Sequence, residues 1–312
     1  MARNSHFLWP DARFKFSSLF ASAAVETVER ELAGIYSNSV PVLFSSARAC
    51  IPAVLELMDL HRSSLVWVPP YSSQCVLEAV SRIATPTPVL AENSAAIVFH
   101  QWGYIHRIAA SFCIEDAADS FLLPGPIVFP NQGKFQIVSL PKIFGCLGGG
   151  VVFCQSGEDA DQLRRIRQSR RGSRNLQLLL KIAGGRSAAA RRYWGGAESL
   201  SGQPPAILCA AIISSLKNLE AMITEHKKKL SLVREFAPSW LRFPEDRLPC
   251  VVPVDAELLR DRKIIFNCMP ILPLHFNRTQ DASNVQLVKT IPVPIHKDTS
   301  IEWLEQVKGY LN

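Results

Sequence analysis

The chain has 312 residues, 48% hydrophobic and 20% charged, a globular composition that excludes the disordered and fibrous classes and leaves room for one large and one smaller domain. No stretch reaches the length of a membrane span, and Met1–Phe20 lacks a basic region followed by a long apolar run, so a soluble, cytoplasmic protein without membrane contact is expected. The net charge of +7 is concentrated in one run holding Arg164, Arg165, Arg167, Arg170, Arg171, Arg174, Lys181, Arg186, Arg191 and Arg192. Only Tyr193 and Trp194 accompany it, too few aromatics for a single-strand stacking platform, so nucleic acid is not the expected partner.

Residues 1–40 are set apart as an N-terminal segment. From Pro41 to Gln155, within a large domain expected over 41–205, short apolar runs alternate with helix-like stretches, the pattern of βα units around a mainly parallel sheet. Strands are expected at Pro41–Phe44, Leu65–Val68, Pro88–Leu90, Ala96–His100, Ser111–Ile114, Phe135–Ser139 and Gly150–Cys154. Their continuous apolarity calls for helices on both faces. Ala47–Leu60 reads as one such helix, capped by Ser45 or Ser46, with Pro52 near its first turn and Val54, Leu55 and Met58 as its apolar stripe. Gly184–Pro205 reads as a long connection and Ala206–Leu230 as a connecting helix. A small C-terminal domain over 231–312 follows, with strands at Cys250–Val254, Ile264–Cys268 and Val285–Val293 and a terminal helix Thr299–Leu311. The eight cysteines form no CxxC pair and have no histidine at zinc-site spacing, so buried reduced thiols are expected and no metal.

Three places could carry chemistry. Ser139-Leu-Pro-Lys142 ends a strand and precedes Gly148-Gly149-Gly150. Sites in open α/β sheets lie at strand carboxyl ends, and a lysine held there forms a Schiff base once burial or a neighbouring cation depresses its pKa. Ile114-Glu-Asp-Ala-Ala-Asp119 closes another strand. A carboxylate there can keep a pyridine ring protonated, or can simply cap a helix. At Phe44-Ser-Ser-Ala-Arg48 a strand turns into a helix whose start offers backbone N–H groups to a phosphate.

Taken in order, Ser46-Ala-Arg-Ala, Trp67-Val-Pro-Pro-Tyr, Thr87-Pro-Val, Val98-Phe-His-Gln-Trp-Gly103, Ile114-Glu-Asp-Ala-Ala118, Val138-Ser-Leu-Pro-Lys142 and Gly148-Gly-Gly-Val-Val-Phe resemble successive blocks of the DegT/StrS sugar aminotransferases. Ala210-Ala-Ile-Ile-Ser-Ser-Leu-Lys-Asn-Leu-Glu220 and Thr290-Ile-Pro-Val-Pro-Ile-His296 extend the similarity to the C-terminal part. The resemblance implies an α/β fold-type I homodimer that uses pyridoxal 5'-phosphate (PLP) to move an amino group, usually from glutamate, onto a nucleotide-linked keto-sugar. It implies Lys142 as the residue that binds the cofactor covalently and Asp116 as the partner of its ring nitrogen. Ser46, Ala47, Arg48 and Ser139 would meet the phosphate, and Tyr71, in a block with Ser73, would supply a stacking ring. Asp119 stands where the family often has Gln or His beside the cofactor, Ala47 where it usually has Gly, and the stretch from Leu90 to Ala95 is short. The Asn-aromatic-Arg block that reaches a neighbouring subunit's site is not recognisable in Gly184–Gln203.

Arg170, Arg171 and His100 are assigned to the substrate, the arginines because a guanidinium grips phosphate with a planar fork. The alternative is a fold-type I relative that has lost the transfer reaction and serves as a binding or scaffold subunit. Ser139-x-x-Lys142 also matches an acyl-transfer motif, but no Ser-Asp-Asn occurs, Lys289-Thr290 is followed by Ile291, and the motif is expected to end a strand rather than open a helix.

Overall fold

The structure is a computed structural model that describes residues 8–11, 22–91, 94–109, 112–170, 202–256 and 274–311. The expected strand Ile264–Cys268 and the basic run from Arg171 onward lie outside the described residues.

Helix α1 (Val25–Ile35) places Val25, Val28 and Leu32 on one buried stripe, the spacing of a helix that faces a core. It leads into β1 (Tyr36–Ser37) and β2 (Val40–Phe44), then α2 (Ala47–Leu57), β3 (Leu65–Trp67), α3 (Gln74–Val80), β4 (Thr85–Thr87), β5 (Ala95–Phe99) and β6 (Phe112–Asp116). After β7 (Ser120–Leu122) and β8 (Gly125–Pro126) come β9 (Phe135–Ser139), α4 (Leu140–Phe144), β10 (Gly150–Cys154) and α5 (Gly157–Ser169). The C-terminal part contains α6 (Ala206–Leu216), α7 (Leu219–Arg234), β11 (Arg247–Pro249), β12 (Val251–Asp255), β13 (Leu274–Asn277), β14 (Leu287–Pro294) and α8 (Ile301–Leu311).

Seven strands form one sheet in the order β2-β10-β9-β6-β5-β3-β4. Strand β10 runs antiparallel to both neighbours, and the remaining pairings are parallel. Six strands therefore end at the same edge, where β10 begins. Every residue of β5, β9 and β10 is buried, as a sheet covered on both faces requires. On one face Val42, Phe44 and Val152 pack with α2, α3 and α5. On the other, Leu43, Val138 and Val151 pack with α1, α6, α7 and the C-terminal part, whose own sheet has the order β12-β14-β13.

Two elements depart from expectation. The edge strand after α3 is Thr85–Thr87, three residues before the expected Pro88–Leu90. Pro86 is tolerated because β4 is the edge and pairs on one side only. The expected single helix Ala206–Leu230 is two, α6 and α7, bent by 63°. Ser215 Oγ donates to the Ala211 carbonyl and Asn218 Nδ2 to that of Ser214, and such side-chain bonds compete with the backbone ladder at the break. Among the described residues no single helix is long and apolar enough to cross a membrane.

Candidate active site

The shared strand edge surrounds a cavity of about 450 Å³, within the usual size range of small-molecule sites. Its wall takes Ser46, Ala47, Arg48 and Ile51 from the β2–α2 junction, and Ser73, Cys75 and Val76 from the start of α3. Phe99 closes β5, Asp116 closes β6 and is followed by Ala118, and Ser139, Pro141 and Lys142 come from the β9–α4 junction. Cys146 and Leu147 follow, and Trp9, Pro10 and Asp11 of the N-terminal segment complete the lining.

The β2–α2 junction is a capped helix start. Ser46 Oγ accepts from the Ala49 amide at 3.2 Å, which orients the first turn toward the cavity. Strand β10 runs against it so closely that a Cβ on Gly150 would lie 2.2 Å from the Ala47 nitrogen. Only glycine permits that approach.

Asp116 is 2% exposed, and its Oδ1 accepts from the Ala118 amide at 3.1 Å. Burial, reinforced by the Asp119 carboxylate, pushes its pKa up to about 6, against the opposing pull of Lys142 and the Ala118 N–H. Lys142 lies in the short α4, whose start is set by Pro141. Its Nζ meets Asp119 Oδ1 at 2.5 Å, and the Trp9 ring centroid lies 4.4 Å from the same nitrogen. The lysine was expected to have a depressed pKa. Burial does pull it down, but the Asp119 and Asp116 carboxylates outweigh burial and hold the ammonium above the ordinary lysine value. The groups that act on it are anions rather than the activating cation expected, so the free amine is disfavoured in the cofactor-free protein.

The remaining assignments divide. Ser46, Ala47, Arg48, Ser139 and Asp116 share the cavity wall with Lys142, and Asp119 reaches it through the ion pair. Tyr71 does not line the cavity: its ring stacks behind Phe99 at 6.3 Å and against His106 at 5.0 Å, while Ser73 takes the wall position in that block. Among the described residues the rings on the wall are Phe99 and Trp9. Phe99 was findable, since it pairs in register with Asp116 as the last residue of a central strand. Trp9 carries no signal in the sequence.

His100 does not fit the substrate role given to it. It is fully buried, its Nδ1 accepts from the His106 amide at 3.2 Å, and its Nε2–H therefore donates to Glu115 Oε2 at 2.9 Å. Burial lowers its pKa, against the pull of Glu115. Glu115 Oε1 in turn accepts from the Asn131 and Gly133 amides, so the pair is a closed structural link. Arg170 is likewise engaged elsewhere, donating to the Ala49 carbonyl at 3.0 Å and pairing with Glu56 at 3.1 Å. It fastens the end of α5 to α2, and the substrate role assigned to it is withdrawn; Arg171 lies outside the described residues. Ser139 both ends β9 and precedes α4 as its N-cap, so its place at a strand end does not by itself distinguish this site from an acyl-transfer one. The missing companion motifs still exclude that chemistry.

A lysine and a buried carboxylate facing one cavity, beside a helix start and at the carboxyl edge of a mixed sheet, define a site for a phosphorylated pyridine cofactor. Residues 28–192, more than half of the chain, match the family described as "Putative PLP-dependent aminotransferase", and the chain belongs to that family. PLP is therefore its cofactor class. The fold is that of "Putative sugar aminotransferase Spr1654 from Streptococcus pneumoniae, PLP-form", with TM-score 0.66 over 97% of each chain at 11% identity. Aminotransferase TlmJ from Streptoalloteichus hindustanus gives TM-score 0.61 over 97% of each chain at 14% identity. DesI, solved in the presence of its TDP-sugar product, gives 0.61 over 97% of this chain and 91% of its own, also at 14%. No curated protein matches the sequence.

Proposed function

We propose that the protein is a PLP-dependent aminotransferase that aminates the keto group of a nucleotide-linked sugar, with an amino acid such as glutamate as donor. The observation that carries this is the convergence of Lys142 and Asp116 on one cavity at the carboxyl edge of the sheet. The sugar acceptor is supported by the fold shared with Spr1654 and DesI. We further propose a homodimer, which the family resemblance suggests, working in the cytoplasm.

The residues present fit the cofactor. Asp116 is a buried carboxyl with a pKa raised to about 6, which a cationic ring nitrogen in contact would hold ionised. The first turn of α2, from Ser46 through Arg48, together with Ser139, would receive the phosphate. Lys142 would bind the aldehyde carbon and afterwards carry protons between substrate carbon and solvent. When bound, the cofactor supplies an electron sink that makes the amino-bearing carbon acidic. The Trp9 ring, 4.4 Å from Lys142 Nζ, covers one side of that nitrogen.

The test is the visible spectrum of the purified protein with added pyridoxal phosphate, for wild type and Lys142→Ala, followed by addition of glutamate. A visible band that is absent in the variant and bleached by glutamate supports cofactor, lysine and half-reaction together. A wild type without a band would overturn the enzymatic reading and leave a binding or scaffold subunit.

A further inference from the structure

Asp119 has no partner role in the cofactor chemistry outlined above, yet it makes the shortest polar contact to Lys142. Its Oδ1 lies 2.5 Å from Nζ, its Oδ2 accepts from the Trp102 amide at 3.2 Å, and it is 2% exposed. The backbone bond fixes the carboxylate from behind. That bond comes from a distorted turn: Trp102 has φ 57° and Gly103 φ 100°, and a Cβ at Gly103 would approach the Pro249 backbone to 2.7 Å. On its other side the ammonium faces the Trp9 ring, a cation–π arrangement that also favours the charged form. Asp11, beside it, donates its backbone N–H to Asp298 at 2.8 Å and so ties this segment to the C-terminal part.

Resting on the PLP reading, we propose that Asp119 is a positioning residue that holds Lys142 as an ammonium ion beneath Trp9, so that cofactor loading is gated by release of one proton from this pair. Asp116 from β6 and Cys75 from α3 also act on the ammonium, and Arg48 and Asp11 share its cavity. In loading, Lys142 gives up one proton, which passes to Asp119 Oδ1 and on to water. The lone pair of Nζ then bonds the aldehyde carbon, and the aldehyde oxygen leaves as water with the two protons remaining on nitrogen. An amide such as Gln, one of the two residues often found at this position in the resembled family, could not accept that proton or hold the ion.

The test uses the full-length, cofactor-free protein as wild type, Asp119→Asn and Asp119→Glu. Asparagine keeps an acceptor for the Trp102 amide and removes the charge. Two pH profiles are recorded: acetylation of Lys142 by acetic anhydride, read by peptide mass spectrometry against exposed lysines, and the rate of appearance of the visible band with pyridoxal phosphate. In Asp119→Asn both midpoints are expected to fall by about 1–3 pH units, and Asp119→Glu to restore part of the shift. Coincident acetylation profiles for wild type and Asp119→Asn overturn the proposal, whatever the spectra show. A shifted acetylation profile with no visible band in any variant supports the ion pair and sinks the PLP reading instead. Should Asp119→Asn not fold, Asp119→Ser, which also removes the charge and keeps an acceptor for the Trp102 amide, is compared with wild type in its place.

Discussion

Two regions of the molecule bury charge against the same sheet, and they do so differently. Between α1, β2 and α5, Glu29 accepts from the Leu43 amide at 2.9 Å, from Arg164 Nε at 3.0 Å and from Arg167 Nη1. Arg167, 1% exposed, also donates to the Leu43 carbonyl at 2.7 Å. Each charge there has an opposite charge and a backbone dipole, a closed arrangement that locks two helices to a strand. In the cavity, two buried carboxylates lean on one ammonium, and Asp116 is driven to about 6. That imbalance is relieved by an arriving cation, whereas in the α1–β2–α5 knot every charge already has its counter-charge and only Arg167 Nε lacks a hydrogen-bond partner. Perturbed groups of the first kind mark functional sites; completed networks hold structure.

The comparison breaks first at Lys142. Lys142→Ala is expected to abolish the visible band and to lower amino transfer by a factor on the order of 1000 or more, since covalent attachment and the proton carrier go together. Thermal stability of the cofactor-free variant, measured alongside, should fall, because Asp119 and Asp116 lose the ammonium that offsets their buried charge. A Lys142→Ala protein that still shows the band would move the site elsewhere.

Glu29→Ala probes the closed region. It leaves Arg167 buried with only the Leu43 carbonyl, and loss of one partner of a buried pair costs about 3–5 kcal/mol. Denaturant titration should register this as a lower midpoint, with cofactor loading per folded molecule unchanged. A loss under about 1 kcal/mol would mean that the network is slack and the contrast between the regions false.

Asp116→Asn sharpens the contrast through its sign. The folded-state pKa of about 6 lies above the ordinary 3.8, so the fold prefers the protonated form. The resulting penalty is absent below pH 3.8, grows as pH rises to about 6, and is constant above it. Asparagine removes it. At pH 8 the cofactor-free variant should therefore gain about 1–3 kcal/mol while PLP affinity falls at least about tenfold. His106 and His226, lowered by burial to about 3 and about 4, act in the opposite direction: their stabilisation is complete above 6.5 and is lost as pH falls through those values. A variant that is less stable than wild type at pH 8 would show that Asp116 is held by bonds rather than strained by charge.

Much of this was legible in the sequence because it depends on local order. Continuous apolar runs located six of the seven sheet strands within a residue or two, and the rule that sites lie at strand carboxyl ends brought Ser46, Asp116, Ser139 and Lys142 to one place. What failed depends on contacts across more than a hundred residues. Trp9 sits 4.4 Å from a lysine more than a hundred residues away, and nothing in its neighbourhood of sequence encodes that. Glu29 in α1 likewise looks like one more solvated helix charge until Arg164 and Arg167 fold onto it. Charge density misled for the same reason: a run of arginines advertises a surface, yet Arg167 and Arg170 point inward.

The smallest effect tests that last point. Arg170 holds the Ala49 carbonyl and Glu56, and Glu56 is 39% exposed, so the pair is partly screened. Arg170→Gln should cost about 1 kcal/mol in denaturant titration, since glutamine can still donate to the Ala49 carbonyl. KM for a nucleotide-sugar acceptor should not move, because no part of Arg170 lines the cavity. The two readouts separate the hypotheses cleanly. A stable variant whose acceptor KM rises tenfold would mean that the guanidinium leaves Glu56 to grip phosphate, and the basic run would again be part of the site. An unchanged KM with a slightly lowered midpoint places the arginines of α5 on the structural side of the comparison, where the charges are already spoken for.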